Sequence, residues 1–183
     1  MNSVSQLEDD IKSLKVQGAT DIALKIIDSL KLASEIVKQN KNLDPHVYFQ
    51  EQTIRLAFTR PTEPLAQNAV RFIFQKKENK YENYLKKGED FKKMISTAKH
   101  KVEQLGSGLI KNGGTYLTHC HSSTVTNMFI HARSLGKKFS VILTETRPLY
   151  QGRITAVELI KAGLNNVTMI IDDYASTMLL ENK

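Results

Sequence analysis

The sequence predicts an α/β protein: a helical N-terminal domain over residues 1–113, then a partial α/β domain over 114–183 holding about three parallel strands, the first half of a doubly wound sheet. Three observations lead there. Apolar residues recur every three or four positions through the first hundred residues. From residue 115 the texture changes to short β-prone runs, each followed by a stretch of helical character. Strands that alternate with helices of about ten residues build βαβ units, which impose a parallel sheet and right-handed crossovers.

Leu7, Ile11 and Leu14 mark the first helix. After Gly18, the stripe Ile22, Ala23, Ile26, Ile27, Leu30, Ala33, Ile36 and Val37 marks the second. Asp44-Pro45 reads as an N-cap followed by proline at the first helical position, opening a helix that runs to about Phe58. Arg60-Pro61-Thr62-Glu63-Pro64 breaks the chain, because each proline biases its predecessor away from the α region. Leu65, Ala69, Val70 and Ile73 resume a helix. Phe91, Met94, Ile95, Ala98, Val102, Leu105 and Leu109 mark a longer one that stops at Lys111-Asn112-Gly113-Gly114. Strands follow over 115–118, 139–144 and 167–171, with helices over about 124–135, 153–162 and from 175 onward. Three parallel strands fall short of the usual five or six. Either another chain completes the sheet or this is the front half of a longer protein, and the second is the expectation taken here.

Composition narrows the class. Forty per cent of the 183 residues are hydrophobic, enough for a core. Cys120 is the one cysteine, which excludes an intrachain disulfide, and four Cys/His ligands at zinc-finger spacing cannot be assembled. No run approaches the length of a transmembrane helix, and the first ten residues lack the basic and apolar regions of a signal peptide. The expected setting is cytoplasmic, with no membrane partner. The net charge of +7 is concentrated between Lys76 and Lys101, where nine lysines face four carboxylates. Arginine is absent from that stretch and no nucleic-acid motif accompanies it, so it reads as a solvated helical face and not as a phosphate footprint.

In an open α/β sheet, ligands bind beyond the carboxyl ends of the strands. Those ends are the most unusual parts of this chain. The first reads Thr118-His119-Cys120-His121-Ser122-Ser123-Thr124, hydroxyl-rich and leading into a helix start suited to an anion. The second, Thr144-Glu145-Thr146-Arg147-Pro148-Leu149-Tyr150-Gln151-Gly152-Arg153, adds an arginine fork and a second hydroxyl-rich turn. The third, Ile171-Asp172-Asp173, adds a carboxylate. Singly, each has a plain explanation: a small buried thiol, packed histidines, helix caps. Together on one edge, a thiol beside histidines and an opposed carboxylate suit a two-base proton transfer.

These strand-end motifs, with Thr59-Arg60-Pro61-Thr62 and Asn68-Ala69-Val70-Arg71 earlier in the chain, resemble the translation initiation factor 2B alpha/beta/delta superfamily. That superfamily joins the factor 2B subunits to methylthioribose-1-phosphate isomerase and archaeal ribose-1,5-bisphosphate isomerase, and the earlier segment resembles the archaeal branch. The resemblance covers nearly the whole chain. It implies a helical domain followed by a Rossmann-like domain, in dimers or hexamers, acting without metal or other cofactor. In the isomerase branches the cysteine of the T-H-C motif and the aspartate after the third strand are the proposed acid/base pair, here Cys120 and Asp172. An R-G-A segment and the arginine of the R-P-T segment bind substrate phosphate. Arg60 matches the latter, but the former reads Gln17-Gly18-Ala19, and a glutamine can hydrogen-bond a phosphate without neutralising it. His119, Ser122 and Arg147 complete the substrate-binding candidates.

The resemblance therefore implies a sugar-phosphate isomerase that converts ribose 1,5-bisphosphate to ribulose 1,5-bisphosphate. Its alternative is a non-catalytic, factor 2B-like regulatory subunit that binds a nucleotide or sugar phosphate and contacts initiation factor 2.

Overall fold

Asp44 accepts the His46 backbone N–H at 2.8 Å while Pro45 supplies the first helical position, so the third helix starts where cap chemistry requires. The computed structural model describes residues 3–181. Its elements in order are α1 (Val4–Lys12), α2 (Ala19–Gln39), α3 (Pro45–Phe58), α4 (Pro64–Ile73), α5 (Tyr81–Leu109), β1 (Thr115–Thr118), α6 (Ser123–Ser134), β2 (Ser140–Thr144), α7 (Gln151–Lys161), β3 (Val167–Ile170), a 3-10 turn (Asp172–Tyr174) and α8 (Ala175–Glu181). This is an α/β fold with a helical N-terminal region. Among the described residues no helix is long and apolar enough to cross a membrane. The chain divides into two compact units, residues 1–97 and 98–183, with the division falling inside α5.

In the first unit, the stripe along α2 faces two apolar clusters. Ala23, Ile27, Leu30, Ala33 and Val37 pack with Phe49, Ala69, Ile73, Tyr84 and Phe91. Ile22 and Ile26 pack with Leu7, Ile11, Leu56, Ala66 and Val70. Leu14 falls beyond the end of α1 with a φ of +60, so the first helix stops before it. Helix α5 begins well before Phe91. Its polar first turns are held by Tyr84, fully buried, whose hydroxyl accepts the Glu78 N–H at 2.6 Å and lies 2.7 Å from His46 Nδ1. Three lysines of the lysine-rich stretch pair with carboxylates of this unit: Lys77 with Asp44 at 2.6 Å, Lys87 with Glu78 at 2.5 Å and Lys92 with Asp28 at 2.5 Å.

In the second unit the three strands lie in chain order β1-β2-β3, all parallel. The register aligns Tyr116 with Val141 and Val167, and Thr118 with Leu143 and Met169. Alternate residues share a face, so both rows lie on one side of the sheet. Val141 and Leu143 pack there against Phe129 and Ala132 of α6 and Ala156 and Leu159 of α7. Right-handed crossovers between successive neighbours put both helices on that same face. Burying such a side chain contributes about 1.5–3 kcal/mol, so β2, apolar and buried from Val141 to Leu143, is the strongest anchor of the unit. Lys137 Nζ donates to the carbonyls of Ser107 and Ile110, each at 2.7 Å, and so satisfies the last turn of α5. Phe91 and Ile95 of the α5 stripe are buried, but Val102, Leu105 and Leu109 continue its period exposed, so its later part marks the helix without marking a buried face.

Candidate active site

Because the strands are parallel, residues 119–122, 145–147 and 171–172 all leave the sheet at one edge. Cys120 lies between β1 and α6 with a φ of +66, in the left-handed region. Ser122 is the N-cap of α6, its hydroxyl accepting the Val125 N–H at 3.5 Å. The Cys120 backbone N–H donates to Thr146 Oγ1 at 2.9 Å, and its thiol donates to Gln151 Oε1 at 2.7 Å. The flanking imidazoles turn elsewhere. His119 Nδ1 lies 2.6 Å from Thr144 Oγ1, and His121 Nδ1 lies 2.9 Å from Thr155 Oγ1. The activating neighbours expected of the thiol are thus engaged with threonines, and a side-chain carbonyl takes the thiol proton's bond.

Asp172 opens the 3-10 turn after β3, but its carboxylate reaches back to the neighbouring strand end. Oδ1 accepts the Thr146 N–H at 2.8 Å and Oδ2 accepts the Arg147 N–H at 2.9 Å. The Arg147 N–H, then the Thr146 N–H, the Thr144 hydroxyl and the nearby His119 hold this carboxyl below the usual aspartate range, against the opposing effect of desolvation. His119 Nδ1 is 3.8 Å from Oδ1. A depressed carboxyl stabilises the fold in its charged form. That contribution is complete above the ordinary aspartate value and is lost as pH falls through the lowered one. The unfolding midpoint of the native chain should therefore exceed that of Asp172→Asn by a constant margin above about pH 5, with the gap closing below about pH 4. Thermal melts of both chains across that range check it, and a gap independent of pH would remove the charge from the explanation.

The Arg147 guanidinium is directed at Glu145, with Nε 2.9 Å from Oε2. Arg153 closes on the other oxygen of the same carboxylate and stacks its guanidinium 4.2 Å from the Tyr150 ring centroid. Arg153 first, then Arg147, holds the Glu145 carboxyl below its ordinary range. Gly152, in the first turn of α7, packs so tightly that a Cβ there would lie 1.9 Å from the Thr144 carbonyl oxygen. The peptide between Arg147 and Pro148 is cis.

His119, Cys120, Arg147 and Asp172 are thus brought to one edge, with Ser122 at the head of the following helix. Gln17, Gly18, Ala19 and Arg60 belong to the other unit. Gly18 has a φ of +85 and precedes Ala19, the first residue of α2. Gln17 Nε2 donates to the Leu14 carbonyl at 2.7 Å. Arg60 Nη2 lies 3.4 Å from Glu63 Oε1. Of the four residues that link the strand ends, Thr144, Thr146 and Gln151 stand in the second strand-end motif without an assigned role, and Thr155 lies beyond it. Their signal was the density of hydroxyls and amides at these turns. Among the described residues no three His, Cys, Asp or Glu side chains form a metal-ligand group. A thiol bearing a transferable proton and a carboxylate able to accept one are the groups that a two-base proton transfer uses.

Residues 15–181 match the model of the Initiation factor 2 subunit family. The ribose 1,5-bisphosphate isomerase of Archaeoglobus fulgidus is 32% identical over 176 residues, covering 94% of this chain and 55% of that protein. The methylthioribose-1-phosphate isomerase of Fervidobacterium nodosum is 33% identical, covering 94% of this chain and 54% of its own length. Among solved structures, the translation initiation factor eIF-2B of Pyrococcus horikoshii OT3 superposes with a TM-score of 0.85 at 27% identity, covering 98% of this chain and 63% of that one. The chain therefore spans a little over half the length of the relatives it matches. The strand-end motifs, the topology and these similarities agree, and the chain belongs to the initiation factor 2 subunit family.

Proposed function

We propose that this chain carries part of a sugar-phosphate isomerase site, and that the whole protein converts ribose 1,5-bisphosphate to ribulose 1,5-bisphosphate. The observation that carries this reading is the junction at Thr146, whose hydroxyl accepts the Cys120 N–H and whose own N–H donates to Asp172. A cysteine and an aspartate whose backbone N–H and carboxylate meet at one residue, at the ligand edge of a parallel sheet, carry the side chains of an acid/base pair. The reaction opens the ring and moves a proton from C2. One of Cys120 and Asp172 takes that proton while the other handles the ring or hydroxyl proton. Gln17, Gly18, Ala19 and Arg60 are the substrate-binding candidates of the first unit, and His119, Ser122 and Arg147 are those of the second. Self-association into a dimer or hexamer belongs to the same reading. The similarity to the Archaeoglobus isomerase supports the choice of sugar.

A second reading is favoured by Gln17 alone. Where the isomerase branches place an arginine, this chain has a neutral amide that donates to the Leu14 carbonyl. A site with less charge for phosphate suits a regulatory subunit of the factor 2B type that senses a nucleotide or sugar phosphate without turning it over. Incubation of the natural-length protein with ribose 1,5-bisphosphate, with ribulose 1,5-bisphosphate measured as product, separates the two. Turnover establishes the isomerase. Saturable binding of the sugar without product selects the regulatory role.

A further inference from the structure

Thr146 adopts a conformation that its own side chain opposes. Its φ is +61, in the left-handed region that β-branched residues seldom enter. A turn needing only that backbone shape is better served by glycine or asparagine. The hydrogen bonds give threonine a reason to be there. Its hydroxyl accepts the Cys120 N–H at 2.9 Å and lies 3.2 Å from Thr144 Oγ1 and 3.3 Å from the Thr144 carbonyl oxygen. Its backbone N–H donates to Asp172 Oδ1 at 2.8 Å. Cys120, at the other end of the hydroxyl's bond, is left-handed as well. Two adverse backbone conformations are therefore joined by one hydrogen bond, made by the backbone of the residue that carries the thiol.

We infer that Thr146 is a positioning residue that sets the separation and direction of the Cys120 thiol relative to the Asp172 carboxylate. The inference rests on the isomerase reading for its effect on turnover, and on geometry alone for its effect on the thiol. It assigns the side-chain hydroxyl a function distinct from turn formation. Thr146→Gly separates the two, because glycine relieves the backbone cost while removing the hydroxyl.

The test compares the native chain with Thr146→Ser, Thr146→Val and Thr146→Gly. It reads kcat and KM for ribose 1,5-bisphosphate, the thermal midpoint, and the rate of Cys120 alkylation by iodoacetamide. Thr146→Ser should stay within about twofold of the native chain in each kinetic readout. Thr146→Val and Thr146→Gly should lose about 10- to 100-fold in kcat with KM held within about threefold, as misaimed acid/base groups do. Their alkylation rates should depart from native by about threefold or more, while that of Thr146→Ser should not. The glycine variant keeps the test decisive if valine does not fold. Native behaviour of Thr146→Gly in both kcat and alkylation would overturn the inference, as would a serine variant as impaired as glycine. If the native protein itself turns over no sugar, the isomerase reading fails. The alkylation ranking still decides whether Thr146 aims the thiol.

Discussion

Cys120→Ser and Asp172→Asn are each expected to lower turnover of ribose 1,5-bisphosphate by about 10²–10⁴-fold under the isomerase reading, the range that a positioned acid or base supplies. The serine variant is the cleaner of the two. Its hydroxyl can still donate toward Gln151 Oε1, where the thiol donates at 2.7 Å, so the surroundings persist while the acidity of the group changes. Asparagine at 172 changes more. The carboxylate accepts two backbone N–H groups, from Thr146 and Arg147, and an amide offers one oxygen in their place. Some of its loss therefore comes from the turn itself, and the thermal midpoint reports how much. A double variant should fall little further than either single one, because the two groups act as a unit. Full activity in Cys120→Ser would exclude the thiol from the proton transfer.

Gly152→Ala is expected to cost about 3–5 kcal/mol, the largest stability effect of any small substitution near the site. A Cβ at this position would meet the Thr144 carbonyl oxygen at 1.9 Å, backbone against backbone, with no flexible side chain to yield. Relief requires α7 to move away from the end of β2. That motion would carry along Gln151, the thiol's partner, and loosen the contacts of Ala156 and Leu159 with Val141 and Leu143. Gly108→Ala is the matched control. Nothing lies within 4 Å of its added methyl, and alanine in a helix is favoured over glycine by about 1 kcal/mol. Urea unfolding should show a lower midpoint for the first variant and an equal or higher one for the second. Equal midpoints for Gly152→Ala and the native chain would mean that α7 can shift at little cost.

Elements whose signal is local were legible from sequence. The cap at Asp44-Pro45, the stripe of α2 and the strand-helix alternation after residue 115 all reappear within one or two residues of where spacing puts them. The lysine-rich stretch reads as a solvated helical face, but no apolar stripe before Phe91 places the start of α5. The order of that start comes from Tyr84, which is buried against His46 and Phe49 of α3 and Phe74 just after α4. The strand-end motifs revealed which residues gather at the edge, but not how they connect. Histidines adjacent to Cys120 in sequence point their rings at Thr144 and Thr155, while the thiol's partner comes from a residue on α7. The left-handed backbone at Thr146 runs against local propensity and is dictated by a bond to another strand end, so no window along the chain contains it.

The order of the strands has a consequence for how the chain assembles. Each strand pairs with its neighbour in sequence, Thr115 with Ser140 and Val141 with Val167, so every sheet contact closes a short loop. Parallel sheets fold slowly when their pairings are distant, and these are not. β1, α6 and β2 precede β3 in the chain, and they carry both ends of the bond from the Cys120 backbone N–H to the Thr146 hydroxyl. The carboxylate follows β3 and bonds back to the turn after β2. Bringing together the two groups suited to proton transfer therefore requires both crossovers, the one through α6 and the one through α7.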